Sequence, residues 1–373
     1  MAIKDTQRVG VFSESTVSKE VMGFPGTCWP MGIVAQVDPE IYKDEEGKPL
    51  EVKPFAIQVK EDAYNTFGKD SEMSKLVEIV TLLGVNRLVC VPVIAPAEGE
   101  VTKAEYKASL DILYNEDAPK IVITDSADKD VHMEIRNHCD KASENRKERR
   151  AHVGSTADTV ANWTKLAKPI NSGRVTMWGS IPLDLEGNAY DDSVYLAAAC
   201  AAYDALELDP AMPLHNIQLH PDLFGGLYNR FDDEDLEALY GNGIAACRNI
   251  NGRIFIDRWV TTYTEDDGVN PPVEDDKYQE GTVAKIKDYI DEGLRNRLST
   301  LHPRVKASVN KMNEVKSDTT NWLMEQAEKE IIEEPNVYKI ERQADKRTRF
   351  HVYYNYKVVL PLNTIFLHGK ALV

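Results

Sequence analysis

The sequence has no two cysteines close enough to make a CxxC-type metal site. Its five, Cys28, Cys90, Cys139, Cys200 and Cys247, are spread along 373 residues, which excludes the common zinc-finger and ribbon spacings. Buried, reduced thiols are expected instead. Positive charge is also short: 44 Lys and Arg stand against 61 Asp and Glu, a formal net charge of −17. Phosphate backbones and anionic lipid repel so acidic a chain, so neither nucleic acid nor membrane insertion is expected. No apolar run approaches the roughly 20 residues of a membrane span. The most apolar window, YLAAACAAYDAL at 195–206, is too short and reads as a helix packed closely on a sheet. The first ten residues hold no apolar segment of the signal-peptide kind.

Catalytic signatures are missing as well. There is no GxxxxGK[ST], no GxGxxG, no GxSxG and no HExxH. The GNG at 241–243 follows a helical pattern and reads as a helix stop. His132 and His138 are six positions apart and fall on different helix faces, which argues against a shared zinc ion. The most enzyme-like cluster is Asp125-Ser126-Ala127, directly after the apolar run KIVIT. A subtilisin-like hydrolase carries its catalytic aspartate in such a place, but it also needs a histidine and a serine in their own glycine-flanked turns. His132, His138 and His152 lack that context, and INSGR at 170–174 is not a nucleophile turn. Asp125 is therefore expected to cap the following helix. An α/β hydrolase is kept as the alternative. NEDAP at 115–119 and the carboxylates of 232–235 lack calcium-loop spacing and read as solvated surface. No metal and no cofactor is expected.

What is present is an α/β rhythm. Residues 1–37 are broken by Gly23, Pro25, Gly26, Pro30 and Gly32, which reads as an extended N-terminal arm region poorly suited to a core. Helices are expected over 71–83, 128–146, 158–168 and 192–206, and strands over 87–94, 120–124, 174–178 and 253–261. Alternation of this kind implies a largely parallel sheet covered by helices. The acidic stretch 232–239 reads as a short helix, and 264–281, with Pro271 and Pro272, as an exposed loop and boundary. Beyond it come an amphipathic helix over 282–298, with Val283, Ile286, Ile290, Leu294 and Leu298 on one stripe, a second helix over 315–332, and a strand in which Phe350, Val352, Tyr354, Tyr356, Val358 and Leu360 alternate with mostly polar neighbours. The chain ends on TIFLHGKALV, 364–373. That strand has one lysine and no proline to blunt its edge. Either it lies within its own sheet or it is donated to a neighbouring copy.

The order of segments resembles the contractile tail sheath family of phage tails, R-type bacteriocins and related injection machines. AYNTFGKDSEMSKLVEIVTLLGVNRLVCVPV (63–93), YKASLDILYNEDAPKIVITDSAD (106–128), the stretch 168–216 with its Ala-rich helix, NGIAACRNINGRIFIDRWVTTYTEDD (242–267) and VAKIKDYIDEGLRNRLS (283–299) carry the resemblance. In place of the family's PGVY opening stands FPGTCW (24–29). The resemblance implies a central subtilisin-like α/β sheet domain without the triad, a smaller α+β C-terminal domain, and extended N- and C-terminal arms exchanged between subunits. The implied spans are 1–37 for the arm region, 38–95 for the first part of the body, 96–270 for the central domain, 271–363 for the C-terminal domain and 364–373 for the linking strand.

The implied function is structural. The subunit polymerises as hexameric rings in a helical array around an inner tail tube, meets baseplate and tail terminator proteins, and contracts. It is assembled in the host bacterial cytoplasm and ends in a virion tail or an extracellular particle. The expected linking residues are Thr364, Ile365, Phe366, Leu367, Gly369, Ala371, Leu372 and Val373. Residues 285–316 carry eight Lys and Arg against four carboxylates, a local +4 in an acidic chain. Lys285, Lys287, Arg295, Arg297 and Arg304 are therefore expected to form a basic patch facing an acidic tube.

Overall fold

In the computed structural model, residues 28–96, 99–264 and 280–362 are described. They fall into two compact units. The larger comprises residues up to 208 together with 214–284, and the smaller 209–213 with 285 onward.

The larger unit begins with β1 (Met31–Gln36), β2 (Phe55–Ile57), α1 (Lys60–Phe67), α2 (Glu72–Leu82), β3 (Leu88–Val93), α3 (Lys103–Leu113), β4 (Ile121–Thr124), α4 (Lys129–Glu144) and β5 (Arg150–Val153). It continues with α5 (Val160–Ala167), β6 (Val175–Gly179), β7 (Pro182–Leu183), α6 (Val194–Leu206), β8 (Gly226–Leu227), α7 (Asp233–Gly241), β9 (Ile244–Ile250) and β10 (Arg253–Arg258). Eight strands make one sheet in the order β10-β9-β6-β5-β4-β1-β3-β2. Its inner pairings are parallel, while β2 and β10 close the two ends antiparallel. The expected parallel sheet is therefore present, with antiparallel margins.

Period-two burial builds the layers. Met31, Ile33 and Ala35 of β1 point into one core, with Leu76, Val77 and Val80 of α2. Val34, between them, joins the other core with Leu110 and Leu113 of α3 and Val131, Ile135 and Cys139 of α4. The Ala-rich α6 lies flat because alanine keeps its axis close to the strands. Its N-terminus sits so near β5 that a Cβ on Gly154 would lie 2.3 Å from the Val194 nitrogen.

The expectation that residues 1–37 stay out of the core fails from residue 28 onward. Trp29 N–H donates to Ala205 O at 2.7 Å, Trp29 Nε1–H to Glu207 O at 3.0 Å, and Arg87 Nη1 to Cys28 O at 3.1 Å. The chain then enters the sheet as β1, between β3 and β4. Gly32 belongs there because a Cβ would meet Leu113 Cδ2 at 2.9 Å. Glycine marked close packing here, not an irregular arm.

The smaller unit contains most of α8 (Gly281–Leu301), then α9 (Val309–Glu328), β11 (Ile332–Arg342) and β12 (Phe350–Val358). Ile286, Ile290 and Leu294 of α8 pack with Trp322 and Leu323 of α9 and with Ile332 and Val337 of β11. Val352, Tyr354, Tyr356 and Val358 of β12 lie against them, as their alternation requires. The helix expected over 315–332 starts earlier, at Val309, because Ser308 caps it by accepting Lys311 N–H. It ends at Glu328, and Ile332 opens β11 instead. Pro335 and the charged residues of β11 concealed that strand. Proline is tolerated at a sheet edge, and β11 pairs with β12 alone among the described residues.

Candidate functional site

Asp125 follows β4 and is partly buried. It accepts Gln36 N–H at 3.0 Å and Tyr106 O–H at 2.8 Å. It therefore ties the ends of β4, β1 and α3 together and does not cap α4. Asp128 does that, accepting Asp130 N–H at 2.8 Å. Burial pushes the Asp125 carboxyl up to about 6, against the lowering effect of its two donors.

The histidines of the enzyme reading are occupied separately. His132 Nε2–H donates to Ser126 O at 2.9 Å, and burial lowers the ring to about 4. His138 accepts Arg149 Nη1–H at 2.8 Å, and burial together with the Arg149 charge lowers it to about 3. His152 lies between the rings of Trp178 and Trp259, 6.0 and 5.8 Å away. Its Nδ1 accepts Trp178 Nε1–H at 3.0 Å, so Nε2 carries the proton toward Asp204 Oδ2, 3.3 Å away. Asp204 in turn holds Arg150 through Nε at 2.6 Å and Nη2 at 2.9 Å. The nearby buried Ser193 donates to Trp178 O at 2.8 Å. Aspartate, histidine and serine are thus committed to different packing tasks, and the hydrolase alternative gains no support. No group of three or more His, Cys, Asp or Glu suited to a metal occurs among the described residues. All five cysteines are free thiols and buried, as expected.

The basic patch is only partly assembled. Lys285 is 1 % exposed, so it is withdrawn from any surface patch. A helical step of about 100° per residue puts Lys287, Arg295 and Arg297 on diverging directions of α8. Arg297 Nη2 lies 3.8 Å from Glu325. Arg304 is exposed on the α8–α9 connection, beyond the helix. The eight linking residues from Thr364 to Val373, and the arm region before residue 28, lie outside the described residues. So does most of the expected loop 264–281.

These elements define a class first: a mostly parallel α/β unit followed by a small α+β unit. Residues 99–262 match the family model for the phage tail sheath protein central domain. No curated protein sequence matches the chain. Among solved structures, the anti-feeding prophage helical sheath in its contracted state is 13 % identical. It matches with a TM-score of 0.67, over 96 % of this chain and 99 % of that one. The PVC sheath complex of an extracellular contractile injection system, also contracted, is 14 % identical, with a TM-score of 0.64 over 100 % and 99 %. The sheath tail protein of Desulfitobacterium hafniense is 10 % identical, with a TM-score of 0.63 over 88 % and 97 %. By sequence, then, residues 99–262 match a sheath central domain, and in fold the chain is similar to contractile sheath proteins.

Proposed function

We propose that the chain is a structural subunit of a contractile sheath and catalyses no reaction. It polymerises around an inner tube as hexameric rings in a helical array, and shortens to drive the tube through a target cell envelope. One observation carries this reading: the sheath central-domain match falls on the segment whose enzyme-like residues are all committed to packing. The anti-feeding prophage baseplate also contains a chain of this fold, 12 % identical with a TM-score of 0.68. That supports baseplate partners, and a tail terminator is proposed on the same basis. Assembly in a bacterial host and release as a virion tail or extracellular particle follow from the same reading. Among the described residues no helix is long and apolar enough to cross a membrane.

Contraction needs no nucleotide if two packings of the lattice differ in energy and the extended one is kinetically held. Copies must then stay linked while their bodies move. Residues 364–373 are the proposed link, donated as a strand to another copy. The β11–β12 ribbon is a suitable acceptor. A two-stranded ribbon is marginal alone, and neither outer edge pairs with a third strand among the described residues. An arm before residue 28 is the proposed second link. The central sheet is taken as a subtilisin-like scaffold in which Asp125 has become structural. Tube contact is assigned to Lys287, Arg295 and Arg297 of α8, with Lys285, which is buried, and Arg304, which lies beyond the helix, left out. Electron microscopy of the purified chain tests the reading. Long hollow tubes are expected, whereas discrete particles labelled by a serine-hydrolase probe would overturn it.

A further inference from the structure

We propose that the α8–α9 connection of one copy docks into a groove beside β1 and β3 of a second copy. This rests on the sheath reading only in requiring that the chain assembles with itself.

Copies carrying −17 each repel one another, so a contact between them is favoured where a cationic surface meets an anionic one. Residues 301–311 supply the first. They hold Arg304, Lys306 and Lys311 and no carboxylate, Lys311 being paired with Glu314. Arg304 and Lys306 are exposed on either side of Val305, and their side chains form no ion pair among the described residues. Leu301, Val305 and Val309 are 43 %, 47 % and 62 % exposed, so the tip is apolar as well as cationic. It is also held in shape. Arg342 Nη2 donates to Ala307 O at 2.7 Å, and Ser308 caps α9. A preformed tip loses little entropy on docking.

The groove lies where β1 and β3 end. Val37, Pro39, Tyr42, Pro49, Ile94 and Pro96 line a space of about 500 Å3, room for a valine and the stems of its neighbours. Ile41 and Leu50 beside it are half exposed. Residues 38–53 bear six carboxylates and three lysines. Lys43 and Lys48 are already held by Glu40 and Glu46, at 2.5 and 2.8 Å. Other acidic stretches lie at α7 and at the turn 184–192, where Leu185 is 64 % exposed between Asp184 and Glu186. Among the described residues no large exposed apolar side chain lies between 229 and 249. The groove by β1 and β3 adds to its acidic rim a concave apolar space that can seat Val305, and the side of α8 bearing Lys287 is left for the tube.

The test mixes two variants of the full chain, Val305→Cys and Ile41→Cys, without tube protein, and adds a short bismaleimide after polymerisation. The native thiols are buried, so the introduced ones react first. A cross-linked dimer is expected in the polymerised mixture and not in unassembled protein. In parallel, Arg304→Glu with Lys306→Glu should raise the critical concentration for polymerisation about tenfold or more. Glu45→Lys with Glu46→Lys in the partner copy should bring it back. Polymer without the cross-link overturns the docking while the sheath reading stands. So does an unchanged critical concentration. A wild-type chain that never polymerises refutes the sheath reading, and this docking with it.

Discussion

Arg150 and Asp204 form a two-pronged ion pair, at 2.6 and 2.9 Å, in the interior of the larger unit, where both side chains are almost sealed from water. The pair joins β5 to α6 and fixes the tautomer of His152. Arg150 also sits 5.9 Å from the Trp29 ring, at the point where the chain enters the body.

Asp204→Ala leaves the Arg150 charge and the His152 N–H buried without their acceptor. Breaking such a pair costs about 3–5 kcal/mol. Chemical denaturation of the monomer measures it; a loss below about 1 kcal/mol would show that the network is dispensable.

Asp125 gives the fold a pH signature. Its carboxyl titrates near 6 in the folded chain, above the ordinary 3.8, because burial disfavours the ion. The folded state thus holds this proton more tightly than the unfolded one. The stability it contributes is full below pH 4 and is lost as pH rises through 6. Asp125→Asn should remove that slope and stabilise the protein at pH 7.5 by up to about 3 kcal/mol, one pKa unit being worth about 1.4 kcal/mol. Denaturation curves of both proteins from pH 4 to 7.5 check this. Parallel curves would show that Asp125 does not titrate there.

Gly154→Ala places a methyl against the backbone of Ser193 and Val194, at 2.3–2.5 Å. Neither α6 nor β5 can move without disturbing its own ladder, so a loss of at least about 2 kcal/mol is expected. Gly173→Ala, with nothing within 4 Å of its Cβ, is the control and should change stability by less than about 0.5 kcal/mol. Thermal melts of the pair decide it.

Deleting residues 364–373 should leave the melting curve of the monomer nearly unchanged and abolish polymers in electron micrographs. Sheaths of normal length from the truncated chain would remove the proposed link.

Reversing Arg295 and Arg297 to Glu should weaken co-sedimentation with the tube protein, most visibly at low salt, since exposed charges are screened within about 8 Å at physiological ionic strength. Tube binding that is unaltered, or insensitive to salt, would count against a cationic tube face.

Elements whose own residues carry a period were legible in the sequence. The helix expected over 71–83 is α2, with Ser71 outside it as the cap, and the alternation expected of β12 has Val352, Tyr354, Tyr356 and Val358 against the core. β5 was not legible, because Arg150 and His152 break its apolar pattern and their partner Asp204 lies 54 and 52 positions away. Nor was β1, because Gly32 within it and Pro25, Gly26 and Pro30 just before it resembled an arm. The candidate site divided the same way. Composition marked a cationic segment, but burial removed Lys285 from it and exposure added the apolar tip around Val305.

The sequence by itself determined the largely parallel α/β layering, the absence of catalytic spacings and the acidic balance, because periodicity, motif spacing and charge are local or additive properties. Only the tertiary structure decided that β1 runs through the middle of the sheet, that Asp125 is a tie between three elements, and which cations remain on the surface. Those outcomes depend on which distant residue supplies the facing atom, and a linear pattern does not carry that information.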